Sequence, residues 1–216
     1  LHGNGIYAVM CDHWGNIIVG SYSGGIDIAR PVGSTPAMFQ HVHNNQQSLL
    51  NDHVNCVAQW PDGTLVMGTD DGVSLYNTTT QQWRHTCSGV VALSLCLTPS
   101  GTMLVATYGK GVYEISRDGQ SRQLYAEGDG VLKDRHVYKL CYDRQGGLWM
   151  GCLDGSLVHL TGGVAHYYSI KNVQDIVQLP DGQMAVATAN GIHLVDARTG
   201  MVKELDFSAG KPDDDS

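Results

Sequence analysis

Ten histidines, six cysteines and twenty-one acidic residues give this 216-residue chain ample material for metal or acid–base chemistry, so spacing has to decide. His41-Val42-His43 offers the two-point pattern of a strand-borne metal site, because residues i and i+2 share one face of a strand. No third ligand accompanies the pair, and both histidines lie in a polar stretch, which reads as solvated imidazole. The cysteines (Cys11, Cys56, Cys87, Cys96, Cys141 and Cys152) include no C-x-x-C, the spacing that zinc sites favour. A chain of this length has no need of a disulfide framework either. Nucleophile elbow, phosphate loop and H-E-x-x-H are all absent from the sequence. Tyr22, Asp70, Tyr108, Lys110, Arg135 and His136 combine aromatic faces with planar or charged hydrogen-bonding groups.

Composition limits what can position them. Thirteen basic residues against twenty-one acidic ones leave a formal charge of −8, which argues against nucleic acid as a partner. Hydrophobic residues make up 42%, enough for a core. No apolar run approaches the roughly 18 residues of a membrane helix, so no membrane contact is expected of this segment. The opening Leu1-His2-Gly3-Asn4 has neither an initiator Met nor a basic-then-apolar leader and reads as a processed or excised piece. Glycine is the outlier, with 27 residues, nearly double the average share of about 7%. Glycines between short apolar runs point to an all-β protein rich in turns.

One phrase is written five times: an alternating run, a turn ending in Gly, an apolar run, and a second Gly before a third run. The turn glycines are Gly15, Gly63, Gly101, Gly146 and Gly182, spaced 48, 38, 45 and 36 residues apart. A mean near 42 is the period of a four-stranded propeller blade. The innermost strands run through Tyr7–Met10, Asn55–Ala58, Leu93–Cys96, Tyr138–Cys141 and Asp175–Val177. The second strands, such as Leu65-Val66-Met67 and Leu148-Trp149-Met150, are apolar throughout, as strands covered on both faces must be. They close on Gly20, Gly68, Ala106, Gly151 and Ala187, where only a small side chain fits. The outermost runs (Phe39–Val42, Gln82–His85, Arg122–Tyr125, Val164–Tyr168 and Val202–Leu205) are more polar, as a wet rim requires. Cys96 and Cys141 share a repeat position with Met10, Ala58 and Val177 and read as small core residues.

The expected fold is therefore an all-β propeller of five four-stranded blades, filling residues 1–216 as one segment. The blades cover roughly 5–46, 53–88, 90–128, 136–170 and 172–208. Residues 209–216 end in Lys211-Pro212-Asp213-Asp214-Asp215-Ser216, which is similar to the lead-ins Leu50–His53 and Leu132–Arg135. They read as the approach to a sixth blade of a larger propeller; a closed five-bladed ring is the alternative.

The fourth copy, Val137 to Gly155 with Asp143, Gly146, Leu148-Trp149-Met150-Gly151 and Gly155, resembles the two-component regulator propeller repeat. Copies one and two keep Gly24-Gly25 and Gly68-Thr69-Asp70-Asp71-Gly72, whereas the repeat's Trp survives only at Trp149. The resemblance implies the periplasmic sensor region of a hybrid two-component histidine kinase. It implies a carbohydrate ligand such as an oligosaccharide, the rest of the sensor ectodomain as partner, and signalling through a homodimer. It implies no cofactor and no catalysis in this segment. The ligand site is expected at one mouth of the propeller, where loops between second and third strands meet loops leading into inner strands. Tyr22, Asp70, Tyr108, Lys110, Arg135 and His136 lie in those loops. Alternatives are a propeller enzyme of the lyase or glycan-cleaving type, or a protein-docking scaffold. An enzyme would need a His/Glu/metal cluster at a mouth, and the three glutamates, Glu114, Glu127 and Glu204, all lie outside these loops.

Overall fold

The structure is a computed structural model that describes residues 3–30 and 37–205. These residues form twenty strands in five four-stranded antiparallel sheets, and no helix occurs among them. Blade 1 comprises β1 (Ile6–Cys11), β2 (Ile17–Ser21), β3 (Ile26–Ala29) and β4 (Ala37–Phe39). Blade 2 comprises β5 (Val54–Gln59), β6 (Leu65–Thr69), β7 (Gly72–Asn77) and β8 (Gln82–Thr86). Blade 3 is β9 (Ala92–Leu97), β10 (Met103–Thr107), β11 (Val112–Ile115) and β12 (Ser121–Tyr125). Blade 4 is β13 (Val137–Tyr142), β14 (Leu148–Cys152), β15 (Leu157–Thr161) and β16 (Val164–Tyr168). Blade 5 is β17 (Val173–Gln178), β18 (Met184–Thr188), β19 (Gly191–Asp196) and β20 (Met201–Glu204). Each sheet is a plain meander in chain order, so every blade is a self-contained unit.

The repeated turn is built identically five times. The residue immediately after the inner strand accepts from the turn glycine, at 3.0 Å for Gly15 N–H to Asp12 O and 2.9 Å for Gly63 N–H to Trp60 O. Gly101, Gly146 and Gly182 make the same bond to Thr98, Asp143 and Leu179. All five glycines sit at φ between 82° and 92°, the left-handed region that side chains avoid.

Blades stack face to face. Inner strands β1, β5, β9, β13 and β17 pack in succession, and four separate hydrophobic cores lie between consecutive blades. Strands β6, β10 and β14 are buried along their whole length because both faces are covered, whereas β12 and β20 are largely wet. Covered second strands are as the sequence predicts, but the innermost strands, β1 and β17 above all, are less buried than the second ones, so burial peaks at the second strand instead of falling steadily outward. The small residue closing each second strand is explained by the next blade. A Cβ on Gly20 would lie 2.9 Å from Val54 Cγ1, and one on Gly151 would lie 2.4 Å from Val173 Cγ1.

The end blades break the burial pattern. Ile17 on β2 is 50% exposed, yet its counterparts Leu65, Met103, Leu148 and Met184 are 3% exposed or less. Val177 on β17 is likewise exposed. Blades 1 and 5 thus each turn a face with core-type residues to solvent, as in an arc of a propeller. The lead-in-like segment 211–216 lies outside the described residues.

One expectation is corrected. The outer run of blade 1 stops pairing at Phe39, so His41 and His43 stand in a loop and not on a strand face. The Asp52 carboxylate takes the His41 N–H at 2.6 Å and Ser48 Oγ takes the Val42 N–H at 3.0 Å, which withdraws both donors from the sheet. The i, i+2 geometry behind a His41/His43 metal pair is therefore absent.

Candidate functional site

The two loop sets meet, and the backbone ties them. Each β2–β3-type loop donates to the lead-in of its own blade: Tyr22 N–H to Gly5 O, Asp70 to His53, Tyr108 to Val91, Leu153 to His136 and Ala189 to Asn172. Several also reach the following blade, as Gly25 N–H does to Asp52 O and Gly111 N–H to Arg135 O at 2.8 Å. One mouth is thus framed largely by main-chain bonds, to which the buried Asp134 carboxylate adds three by accepting the His136, Asp154 and Gly155 N–H groups.

Between blades 1 and 2, Tyr22 stacks on His53 with centroids 4.2 Å apart and planes 17° from parallel. Tyr7, from the inner strand, meets Tyr22 edge-on at 5.5 Å. The Asp70 carboxylate lies 2.9 Å from His53 Nδ1 and accepts from the Asn55 side-chain amide at 2.8 Å. Between blades 3 and 4, Tyr108 packs against His136 at 4.6 Å, and Tyr138 approaches Tyr108 edge-on at 6.4 Å. Here Asp134 Oδ1 sits 2.9 Å from His136 Nδ1. Burial alone would raise the Asp134 carboxyl, but the N–H groups of His136, Asp154 and Gly155 and the His136 ring outweigh it and hold it below the usual range. An ionised Asp134 accepts only, so Nδ1 carries the His136 proton and Nε2 is left as an acceptor in the neutral ring. Burial, then Tyr108, Asp134 and Asp154, push the Tyr138 hydroxyl up.

Four of the six residues singled out in the sequence therefore fall into two groups, Tyr22 with Asp70 and Tyr108 with His136. Lys110 and Arg135 are exposed beside the second group, joined to it through the Gly111 N–H to Arg135 O bond rather than through their side chains. His53, Asp134, Tyr7, Tyr138 and Asn55 were missed. The signal for His53 was present: like His136, it directly precedes the first inner-strand residue of its blade.

A second feature lies at the opposite, turn-bearing side. A cavity of about 280 Å³ between blades 4 and 5 is lined by Asp143, Trp149, His159, Gln178, Met184 and Arg198, among others. Its polar groups are engaged in holding the repeat. Asp143 accepts from Trp149 Nε1 at 2.9 Å and from Gly147 and Gln145 N–H, and Trp149 is stacked between His159 and Tyr168. His159 Nε2 is 3.1 Å from Asp143 Oδ2 yet lacks hydrogen-bond alignment. All six cysteines are free thiols, and only Cys11 is exposed. Burial pushes the Cys56 and Cys152 thiols up to about 12. Among the described residues no group of three or more His, Cys, Asp or Glu is placed to hold a metal ion.

No curated protein matches the chain in sequence. Among solved structures, the extracellular domain of the hybrid two-component system BT3049 from B. thetaiotaomicron superposes with a TM-score of 0.81 at 17% identity. That match covers 94% of this chain and 30% of the other. The corresponding domain of BT4673 gives 0.80 at 13% identity, covering 97% of this chain and 32% of the other. Virginiamycin B lyase from Staphylococcus aureus gives 0.74 at 12% identity, over 93% of this chain and 69% of the enzyme. The chain thus spans about a third of the two-component extracellular domains it is similar to, and at these identities the likeness concerns the fold. The sequence evidence is more specific. Residues 131–154, the lead-in to blade 4 with β13 and β14, match the two-component regulator propeller family and carry its repeat within a β-propeller.

Proposed function

We propose that this chain is the ligand-sensing propeller segment of the extracytoplasmic, periplasmic region of a hybrid two-component sensor kinase. It binds an oligosaccharide at the mouth described above and passes occupancy to the rest of the ectodomain, which signals as a dimer. The observation that carries this reading is the mouth itself: Tyr7, Tyr22 and Tyr108 are each about half exposed, beside imidazoles whose Nδ1 atoms face carboxylates. An open ring face with polar groups at its edge fits the C–H face and hydroxyls of a sugar. The two-component repeat at 131–154 and the likeness to two-component ectodomains support the setting.

The test is binding without turnover. Calorimetry against free linear oligosaccharides is expected to find a saturable ligand, with the sugar recovered intact by mass spectrometry. Tyr22→Ala and Tyr108→Ala should weaken binding while leaving the melting temperature unchanged. Recovery of cleaved or unsaturated sugar would favour the lyase alternative, and binding untouched by either variant would remove the mouth as the site.

A further inference from the structure

The two tyrosine–histidine groups are the same site written twice. Tyr22 and Tyr108 each stand two residues beyond the small residue that closes the second strand, Gly20 or Ala106. His53 and His136 each directly precede the inner strand of the following blade. Both histidines place Nδ1 2.9 Å from a carboxylate oxygen, and both tyrosines receive a second tyrosine edge-on. The carboxylates come from unrelated positions. Asp70 follows its histidine by seventeen residues and Asp134 precedes its own by two. The same three groups from different origins, with the rings stacked at 17° in the first and tilted by 57° in the second, mark the Tyr–His–carboxylate arrangement as the feature that recurs. At the boundaries of blades 2/3 and 4/5 the matching positions hold Asp70 with Val91 and Leu153 with Asn172, so the arrangement occurs at alternate boundaries, two blades apart.

Resting on the sugar-binding reading above, we infer that these are two equivalent subsites for one linear oligosaccharide of repeating units, with one sugar ring on Tyr22 and another on Tyr108. Each tyrosine supplies the stacking face. Each histidine, its Nδ1 proton directed at the carboxylate, presents Nε2 as an acceptor for a sugar hydroxyl. Two weak subsites on one rigid platform convert the second contact into an intramolecular event, which adds about a hundredfold or more in affinity once the ligand can span them.

The probe is a set of gluco-, galacto-, fructo- and mannan-type oligosaccharides of increasing length, each with its own monosaccharide, titrated into the chain by calorimetry. The expected result is one series whose affinity is flat for short members and climbs about a hundredfold at a threshold length. Its monosaccharide should bind with a stoichiometry of two. Tyr22→Ala and Tyr108→Ala should each abolish the length threshold and halve the monosaccharide stoichiometry. Because both rings are half exposed, circular dichroism of the variants should match wild type. Length-independent binding of one saccharide per chain, lost in one variant and unchanged in the other, overturns the two-subsite inference while leaving sugar sensing intact. No binding in any series overturns both.

Discussion

Adding one methyl group at Gly151 should loosen the joint between blades 4 and 5. Gly151 sits in β14 and is not in the left-handed region, so alanine meets no backbone penalty and gains roughly 0.5–1 kcal/mol by restricting the unfolded chain. The new Cβ would lie 2.4 Å from Val173 Cγ1, 2.8 Å from Val173 Cβ and 3.3 Å from Ile176 Cδ1. Ordinary carbon contacts sit near 3.5–4.0 Å. Val173 Cβ is fixed to the β17 backbone, so no rotamer change relieves the overlap and blade 5 must shift. Overpacking of that kind costs about 1–3 kcal/mol, and mid-range values leave a net loss of about 1 kcal/mol after the entropic gain. For a domain of this size that lowers the melting temperature by about 2–4 °C. Gly20→Ala places its Cβ no closer than 2.9 Å to Val54 and should cost less. The assay is thermal unfolding of both variants and of Gly151→Ala combined with Val173→Ala. Because Val173→Ala removes the Cγ1 that the new methyl meets at 2.4 Å, the blade-stacking argument predicts that the double variant loses less than the sum of the two single losses, Val173→Ala alone being measured alongside. A Gly151→Ala protein as stable as wild type, or a double variant showing the full sum of two losses, refutes it.

Other measurements follow from the same geometry. Leu148→Ala, in a fully covered strand, should cost about 2–5 kcal/mol, whereas Ile17→Ala at the matching but exposed position of blade 1 should fall within about 0.5 kcal/mol; comparable losses would mean that blade 1's outer face is covered. Stability should decline on acidification in two windows. Burial holds the His159 imidazole below its ordinary value, so the unfolded chain binds that proton first and stability is lost as pH falls below about 6.5. Asp143, whose bonds from Trp149, Gly147 and Gln145 outweigh the effect of burial, sits below the usual carboxylate range, so its contribution is lost further down as pH falls past about 4. A His159→Gln protein should lose the upper window and keep the lower, as read from denaturant midpoints across pH. In the native protein a thiol reagent should modify Cys11 quickly and leave Cys56 and Cys152 unreacted until unfolding.

The architecture was legible because it rests on features that sequence displays directly. A positive-φ turn demands glycine at Gly15 and its four counterparts, a close-packed joint demands Gly or Ala at position 151 and its equivalents, and two covered faces demand an unbroken apolar run. Each is a one-residue requirement repeated five times. The end of the blade 1 outer strand was not legible, since it depends on Asp52 and Ser48 capturing two N–H groups across the loop. The mouth was half legible for the same reason. Its loops follow from the repeat, and so did Tyr22, Asp70, Tyr108 and His136. That His53 takes its carboxylate from Asp70 while His136 takes its own from Asp134 is a matter of three-dimensional placement with no sequence period.

That division of labour bears on how such a surface comes to recognise anything. The bonds that frame the mouth run between backbone atoms, from Tyr22 to Gly5 in blade 1 through Ala189 to Asn172 in blade 5, and they hold whether the residue is Tyr, Asp, Leu or Ala. Side chains at these positions therefore carry little of the folding free energy, unlike Trp149 or Val173, whose exchange disturbs a joint between blades. A repeat whose joints are fixed and whose mouth is free to vary can change its ligand without refolding. In this chain the exposed positions hold Tyr22 beside His53 and Tyr108 beside His136, at every second boundary, whereas the buried Asp134 accepts the His136, Asp154 and Gly155 N–H groups and so belongs to the frame rather than to the part free to vary.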